Sequence, residues 1–198
     1  MAIVGWFALI GQFYMILINR EASVTETIVR YFTFFTILTN ILIAVGCTVL
    51  LLKPGSGWGR FFTKNTTLTA TTVNILIVGA TYNIILRWLW NPQGLQYVVD
   101  ELLHLVIPLL FIIFWLVFVP KGGLKWSNIF LWTVYPIAYL VVILIRGALS
   151  GYYPYPFVDV TKLGYPQTLI NSAGIAAAFI IVALLFVGID KLMSRKTT

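Results

Sequence analysis

The chain has 198 residues, of which 60% are hydrophobic and 10% are charged, and its formal net charge is +7. Soluble domains carry about a quarter of charged residues, so this composition predicts an integral membrane protein with a single domain, residues 1–198. The basic residues are scattered between apolar runs, which favours membrane lipids rather than nucleic acid as their partner. One histidine and one cysteine predict neither an intramolecular disulfide nor a metal site, and no cofactor is expected.

Six apolar runs approach the ~20 residues that a membrane-spanning helix needs. They predict an all-α fold, a compact bundle of six transmembrane helices. The first run lacks a basic start and a small-residue cleavage site, so we expect it to stay in the mature protein. The predicted spans are residues 2–19, 30–52, 67–89, 102–119, 128–149 and 168–191.

The basic residues predict the orientation of these spans. The loops after the second and fourth spans and the tail after the sixth are richer in lysine and arginine than the opposite side, so the positive-inside rule predicts that both termini are cytoplasmic. The basic residues on the predicted cytoplasmic side are Lys53, Arg60, Lys64, Lys121, Lys125, Lys191, Arg195 and Lys196. Those on the opposite side are Arg20, Arg30, Arg87, Arg146 and Lys162.

The second span carries one polar-to-small face, formed by Thr33, Thr36, Asn40, Ala44 and Cys47 at helical spacing. Hydrocarbon offers no hydrogen-bond partner, so this face is expected to contact protein or a water cavity. Thr36 is the candidate nucleophile, although a threonine hydroxyl needs a base to remove its proton. The alternative is that these polar side chains only bind neighbouring helices.

His104 opens the fourth span and is the only histidine. An ionisable residue in a spanning helix is a functional candidate, and the alternative is a histidine satisfied by a backbone carbonyl or by water. Pro108 has no N–H, so the carbonyl of His104 loses its helical donor and the helix should bend there. Asp100 and Glu101 lie four and three residues earlier, where either can orient the imidazole or simply mark the membrane boundary.

Thr36 and His104 both follow the outer entry of a span, so the topology predicts that they share a depth. Further polar residues lie on the other spans. Arg87 and Arg146 are expected at outer span ends, where an arginine holds a carboxylate or phosphate, or else reaches to water. The residues that we consider for substrate binding are Asn40, Asn83, Arg87, Tyr139, Arg146 and Asp159. Of these, Asp159 is also a second candidate to orient His104.

Three motifs carry a resemblance to a known family. They are FFTILTN at 34–40, DELLHLVIPLLF at 100–111 and YPYPFVD at 153–159. In this combination and order the chain resembles the androgen-induced and androgen-dependent membrane proteins and their six-span microbial relatives. The animal members are threonine hydrolases that cleave esters between a fatty acid and a hydroxy fatty acid.

The resemblance implies a catalytic pair. Thr36, which follows two phenylalanines, matches the nucleophile of the family, and His104, shortly before a proline, matches its base. Thr33 and Thr39 are the register alternatives for the nucleophile. The gap between His104 and Pro108 is shorter than in the animal proteins, which bears on the choice of substrate.

The function implied is that of a lipid-ester hydrolase near the outer leaflet, in the cell membrane if the protein is microbial. Asn40 is considered as a donor to the developing oxyanion. Two alternatives from other classes stay open. One is a small-solute transporter or channel-like protein, and the other is a structural partner of another membrane protein.

Overall fold

The structure is a computed structural model that describes residues 1–194, and this part of the chain is helical without strands. It divides into two compact units, Met1–Gly123 and Leu124–Thr198. The helices of the first unit are α1 (Ala2–Ile18), α2 (Val24–Tyr31), α3 (Phe35–Leu52), α4 (Gly57–Phe62), α5 (Asn65–Thr81), α6 (Leu95–Glu101) and α7 (Ile107–Phe118). Those of the second unit are α8 (Asn128–Ser150) and α9 (Val160–Ser194).

Five helical segments are long and apolar enough to cross a membrane. They are Phe35–Leu52, Asn65–Leu89, Leu95–Phe118, Asn128–Ser150 and Val160–Ser194. The sixth predicted span corresponds to α1, which is apolar but has 17 residues. At 1.5 Å per residue α1 is about 26 Å long, slightly short of the ~30 Å hydrocarbon core.

The all-α prediction is therefore confirmed for the described residues, and the helices are those of a multi-pass membrane protein. The number of spans, the side of each terminus and the single domain stay predictions. Arg195 and Lys196, which contribute to the predicted orientation, lie outside the described residues.

The second predicted span, 30–52, is interrupted near its start. Helix α2 ends at Tyr31, and Thr33 terminates it because its N–H and its hydroxyl both donate to the carbonyl of Arg30, at 3.0 and 2.6 Å. Phe34 is extended, and α3 begins at Phe35. Thr36 is consequently in the first turn of a helix and not one turn inside a continuous span.

Helix α1 packs against α3 and α6 in the core of the first unit. The polar face of α3 looks into this unit: Thr33, Thr36, Asn40 and Ala44 are buried, and Cys47 is half-buried. The expectation that this face contacts protein is confirmed.

Two segments of the first unit widen into π-helical turns, Tyr82–Leu86 at the end of α5 and Leu102–Val106 between α6 and α7. In the second of these the N–H of Ile107 donates to the carbonyl of Leu102, five residues back. Pro108 follows immediately. The helix thus accommodates the missing N–H of the proline by widening the turn before it.

Helix α5 approaches this widened turn closely at Gly79. A Cβ atom there would lie 3.0 Å from the carbonyl oxygen of His104 and 3.2 Å from Cβ of Pro108. Glycine therefore lets the backbone of α5 pack directly on the His104–Pro108 segment.

The second unit is built from α8, α9 and the loop that joins them. Arg146 donates to the carbonyl of Tyr152 at 3.3 Å, and the ring of Tyr153 packs on Gly147, where a Cβ would overlap it. The Asn171 amide donates to the carbonyl of Phe157 at 3.0 Å. At the other end of this unit the buried Asp190 carboxylate accepts from the N–H of Leu124 at 3.1 Å.

We expect Gly79→Val to lower the stability of the protein by about 1–3 kcal/mol, the usual effect of forcing extra atoms into a packed site. The measurement is thermal unfolding in detergent. Gly174→Val is the control, because no atom lies within 4 Å of a Cβ at Gly174. Equal stability of the two variants would contradict the close approach.

Candidate functional site

The two π-helical turns face each other and bring the ring of Tyr82 onto the imidazole of His104. The ring centroids are 3.9 Å apart and the planes differ by 16°. The guanidinium of Arg87 lies 5.3 Å from the centroid of the Tyr82 ring. Two predicted site residues, His104 and Arg87, therefore flank a tyrosine that the sequence analysis did not single out.

The imidazole of His104 is held through Nδ1. This atom lies 2.9 Å from the carbonyl oxygen of Asp100 and 3.4 Å from its carboxylate oxygen Oδ1. A carbonyl oxygen only accepts, so Nδ1 carries a proton in this arrangement. Within residues 1–194 no hydrogen-bond partner is recorded for Nε2, which is the basic nitrogen of the neutral ring.

Asp100 is an acid whose side chain lies beside the imidazole, with Oδ1 at 3.4 Å from Nδ1. This side chain is buried, and its Oδ2 accepts a hydrogen bond from the hydroxyl of Tyr82. Whether Asp100 orients the ring or marks the membrane boundary stays a prediction. Glu101 instead forms an ion pair with Arg87 at 2.6 Å.

Asn83 supplies the donor that Pro108 withholds. Its Nδ2 donates to the carbonyl of His104 at 3.0 Å and to that of Gly79 at 2.8 Å, while its Oδ1 accepts from Nε of Arg87 at 2.9 Å. The carbonyl of His104 would bond to the N–H of residue 108 in an α-helix. A side chain from the π-helical turn that follows α5 therefore replaces this backbone bond.

Asn40 has the same relation to the carbonyl of Leu103. That carbonyl lies five residues before Pro108, so it has no donor in a π-helix. Nδ2 of Asn40 lies 3.4 Å from it and 2.9 Å from the carbonyl of Thr36. One nitrogen atom thus bridges the backbone at Thr36 and the backbone next to His104.

Because of this bridge, the side-chain atom of Asn40 that stays available for a further hydrogen bond is its acceptor, Oδ1, and not its donor, Nδ2. Both of its recorded bonds use Nδ2, and Oδ1 is buried without a recorded partner in the described chain. Thr36 itself is buried in the first turn of α3.

The other three predicted substrate residues belong to the second unit. Tyr139 is half-buried on α8. Arg146 donates to the carbonyl of Tyr152, and its guanidinium lies 5.2 Å from the centroid of the Tyr152 ring. Asp159 precedes α9, and its Oδ1 accepts from the N–H and the hydroxyl of Thr161 at 3.1 and 2.5 Å. Its other oxygen lies 3.5 Å from Nζ of Lys162.

In the first unit the structure therefore brings most of the predicted residues into one hydrogen-bonded set, while the catalytic role of Thr36 and His104 stays a prediction. The residue that sequence reasoning missed is Tyr82. Its spacing carried a signal, because Tyr82 is three residues after Gly79 and so lies on the helical face that also holds Asn83 and Arg87.

Comparisons with protein-family models, with characterised proteins and with solved structures give no match for this chain.

The bond between Asn83 and the carbonyl of His104 can be tested with a double-mutant cycle. We expect Asn83→Leu to destabilise the protein by about 1–3 kcal/mol, because it leaves a buried carbonyl without a donor. In a Pro108→Ala background the N–H of residue 108 restores the helical bond. The effect of Asn83→Leu should then shrink by about 0.6–2 kcal/mol.

The measurement for this cycle is the thermal stability of the four proteins in detergent. Strictly additive effects would show that Asn83 does not replace the bond lost at Pro108.

The acidic residue at the start of α9 predicts a pH dependence. The hydrogen bond from the Thr161 hydroxyl lowers the pKa of Asp159 below its ordinary value of 3.8, and the nearby Lys162 acts in the same direction. The stabilisation is therefore present above pH 3.8 and is lost as the pH falls through the lowered value.

We expect wild type to be more stable than Asp159→Asn at pH 7, and the difference to disappear as the pH falls through the lowered pKa of Asp159. Thermal unfolding over a series of pH values from 7 downwards measures this, with Glu21→Gln, at an exposed carboxylate, as the control. A difference that persists at low pH would show that the charge of Asp159 is not the cause.

Proposed function

We propose that this chain is an integral membrane hydrolase of lipid esters, with Thr36 as nucleophile and His104 as general base. The observation that carries the proposal is the imidazole of His104, held through Nδ1 by Asp100 with no recorded partner for Nε2 in the described chain. The proposal includes six spans in a single domain with both termini cytoplasmic, so that the site lies near the outer leaflet. It also includes the cell membrane as the location in a microbe.

The proposed chemistry passes through an acyl-enzyme. Nε2 of His104 takes the hydroxyl proton of Thr36 while Oγ1 of Thr36 attacks the ester carbonyl. The C–O bond of the ester then breaks, the imidazolium gives this proton to the oxygen of the leaving alcohol, and the acyl group stays bonded to Oγ1 of Thr36. A water molecule, deprotonated by the same nitrogen, cleaves the acyl-enzyme to release the fatty acid and regenerate Thr36.

The position of Thr36 in the first turn of α3 supports this role. The N-terminal end of a helix carries a partial positive charge, which stabilises a developing oxyanion. Asn40 is the weaker choice for the oxyanion donor, because its Nδ2 already bonds to the carbonyls of Thr36 and Leu103. In the proposal Asn40 therefore holds the two catalytic segments together.

The proposed substrate class is a fatty acid ester of a hydroxy fatty acid, whose free carboxylate suits an arginine. Arg87 is the arginine next to His104, and its present partner is Glu101 at 2.6 Å. A substrate carboxylate would have to displace Glu101 or bind beside it. Asn83 remains a proposed substrate contact.

The threonines on α5 favour the hydrolase over a solute path. The hydroxyls of Thr69, Thr71 and Thr72 donate to the carbonyls four residues earlier, at 2.7, 2.9 and 2.7 Å. Thr69 also accepts a hydrogen bond from Nε1 of Trp115 on α7 at 2.7 Å. The three hydroxyls thus bond to protein. A transporter needs polar groups that face a path, and these three threonines are not evidence for such a path.

The test is hydrolysis of a panel of lipid esters by the purified protein in detergent, with a fluorophosphonate probe for covalent labelling. We expect Thr36→Ala and His104→Ala each to lower kcat by about 10²–10⁴-fold, the usual contribution of acid–base catalysis, and to abolish labelling. Thr71→Ala is the matched control, because its hydroxyl bonds only within α5.

Thr33→Ala and Thr39→Ala test the register alternatives in the same assay. Loss of labelling in one of them, with Thr36→Ala still active, would move the nucleophile to that position. Absence of turnover and labelling in wild type would overturn the hydrolase, and uptake assays in vesicles would then test the transporter.

A further inference from the structure

We propose that Tyr82 is a positioning residue for His104: it orients the Asp100 carboxylate and thereby fixes which ring nitrogen of the histidine carries the proton. The tautomer is a property of the chain itself. Only its consequence for hydrolysis rests on the proposed function.

Tyr82 makes two separate contacts with this pair. Its hydroxyl donates to Oδ2 of Asp100, and its ring stacks on the imidazole of His104 at 3.9 Å. The hydrogen bond therefore joins Tyr82 to Asp100, the stack joins Tyr82 to His104, and the contacts of Nδ1 join His104 to Asp100. Tyr82 is buried, so its hydroxyl has little access to water as an alternative partner.

The orientation of the carboxylate follows from the tyrosine bond. An ionised carboxylate only accepts hydrogen bonds, and a tyrosine hydroxyl supplies one donor. Because Tyr82 occupies Oδ2, the other oxygen, Oδ1, is the one that faces Nδ1 of His104 at 3.4 Å. The backbone carbonyl of Asp100, at 2.9 Å from Nδ1, is a second acceptor on the same side.

The backbone carbonyl that accepts from Nδ1 and the negative charge at Oδ1, 3.4 Å away, both favour the tautomer with the proton on that nitrogen, which leaves the lone pair on Nε2. Removing the hydroxyl of Tyr82 frees the carboxylate to turn away from Nδ1. The backbone carbonyl of Asp100 is then the acceptor that remains there, so the preference for the Nδ1–H tautomer becomes weaker and more of the ring carries its proton on Nε2.

The other charged groups near this pair are already engaged. Glu101 is paired with Arg87, and Arg87 also donates to Asn83. Of the elements packed against the π-helical turn of His104, α1 and α3 place no aspartate, glutamate, lysine or arginine in their described helical ranges. Within the described residues, Tyr82 is thus the side chain that donates a hydrogen bond to the Asp100 carboxylate.

The test uses the fact that His104 is the only histidine. Protein labelled with ¹⁵N-histidine gives ring-nitrogen signals from one residue, and their shifts report the tautomer without any substrate. We expect the Nδ1–H form to dominate in wild type at a pH where the ring is neutral. In Tyr82→Phe, which keeps the stacked ring, the Nε2–H form should rise about tenfold, the order expected for loss of one hydrogen bond to a charged group.

A second variant distinguishes the effect of the Tyr82 hydroxyl from an effect of packing alone. In Asp100→Asn the Tyr82 hydroxyl should still bind the side-chain oxygen, which turns the amide NH₂ towards Nδ1 and favours the Nε2–H tautomer. Adding Tyr82→Phe releases the amide, so the double variant should recover part of the Nδ1–H form. A tyrosine that acts only by packing would not produce this recovery.

The controls are Tyr14→Phe and Glu21→Gln, both at exposed positions, and they should leave the spectrum unchanged. An Nε2–H form that dominates in wild type would overturn the proposal. So would a Tyr82→Phe spectrum that matches Tyr14→Phe. If Tyr82→Phe does not fold, an unchanged tautomer in Asp100→Asn overturns the proposal and a reversed one supports it.

Kinetics then separate this proposal from the hydrolase. On an ester that wild type cleaves, Tyr82→Phe should lower kcat in proportion to the fall of the Nδ1–H fraction in the spectra, with KM nearly unchanged, because the base and not the binding of substrate is affected. If no ester is cleaved, the hydrolase fails while the spectra still decide the role of Tyr82. If the spectra change and kcat does not, Tyr82 positions the histidine as proposed, and the consequence of the tautomer for hydrolysis is overturned.

Discussion

The packing of the first unit depends on one missing hydrogen-bond donor, the backbone N–H that Pro108 lacks. Pro108 cannot supply an N–H to the helix that carries His104, and in a membrane an unpaired carbonyl is expensive because lipid offers no replacement. Two asparagines from neighbouring helices supply the replacement: Asn83 donates to the carbonyl of His104 and Asn40 reaches that of Leu103. These bonds join α3, α5 and the His104 segment.

The same bonds explain why polar residues occur on helices that are otherwise apolar. Asn40 and Asn83 bind helices together, as the structural alternative for such residues has it, and they do so at the residues proposed for catalysis. The same side-chain atoms therefore join the helices and hold the segments proposed for catalysis. The sequence left open whether these side chains join helices or belong to a functional site. Their contacts join helices beside the residues proposed for catalysis, and the chemistry of Thr36 and His104 remains a proposal.

Much of this arrangement could be predicted from the sequence. Hydrophobic runs predict the helices within a few residues, since burial and helix length are properties of the segment itself. The loss of the His104 helical bond follows from Pro108 alone. What replaces that bond could not be predicted, because the contact of Asn83 with a helix about twenty residues away depends on packing. The break at Thr33 was missed for another reason: a side-chain cap competed with a continuous apolar run.

Tyr82 shows a different limit of sequence reasoning. In an apolar helix a tyrosine is usually read as an interfacial anchor, and only its three-residue offset from Gly79 places it with the polar residues. Its value lies in the partner that it reaches, a buried aspartate on another helix. The π-helical turn that carries Tyr82 also brings its ring onto His104 in the other π-helical turn, in keeping with the frequent occurrence of such turns at functional sites.

The π-helical turn at Leu102–Val106 also determines the side of α7 that faces protein. A π turn holds one more residue than an α turn, and one residue corresponds to a rotation of about 100° around a helix. Every side chain after the turn is therefore rotated relative to an uninterrupted helix. Phe111 and Trp115, which are buried in this structure, owe their inward direction to that extra residue. The π-helical turn that contains His104 thus determines which surface of α7 packs on protein and which surface is left for lipid.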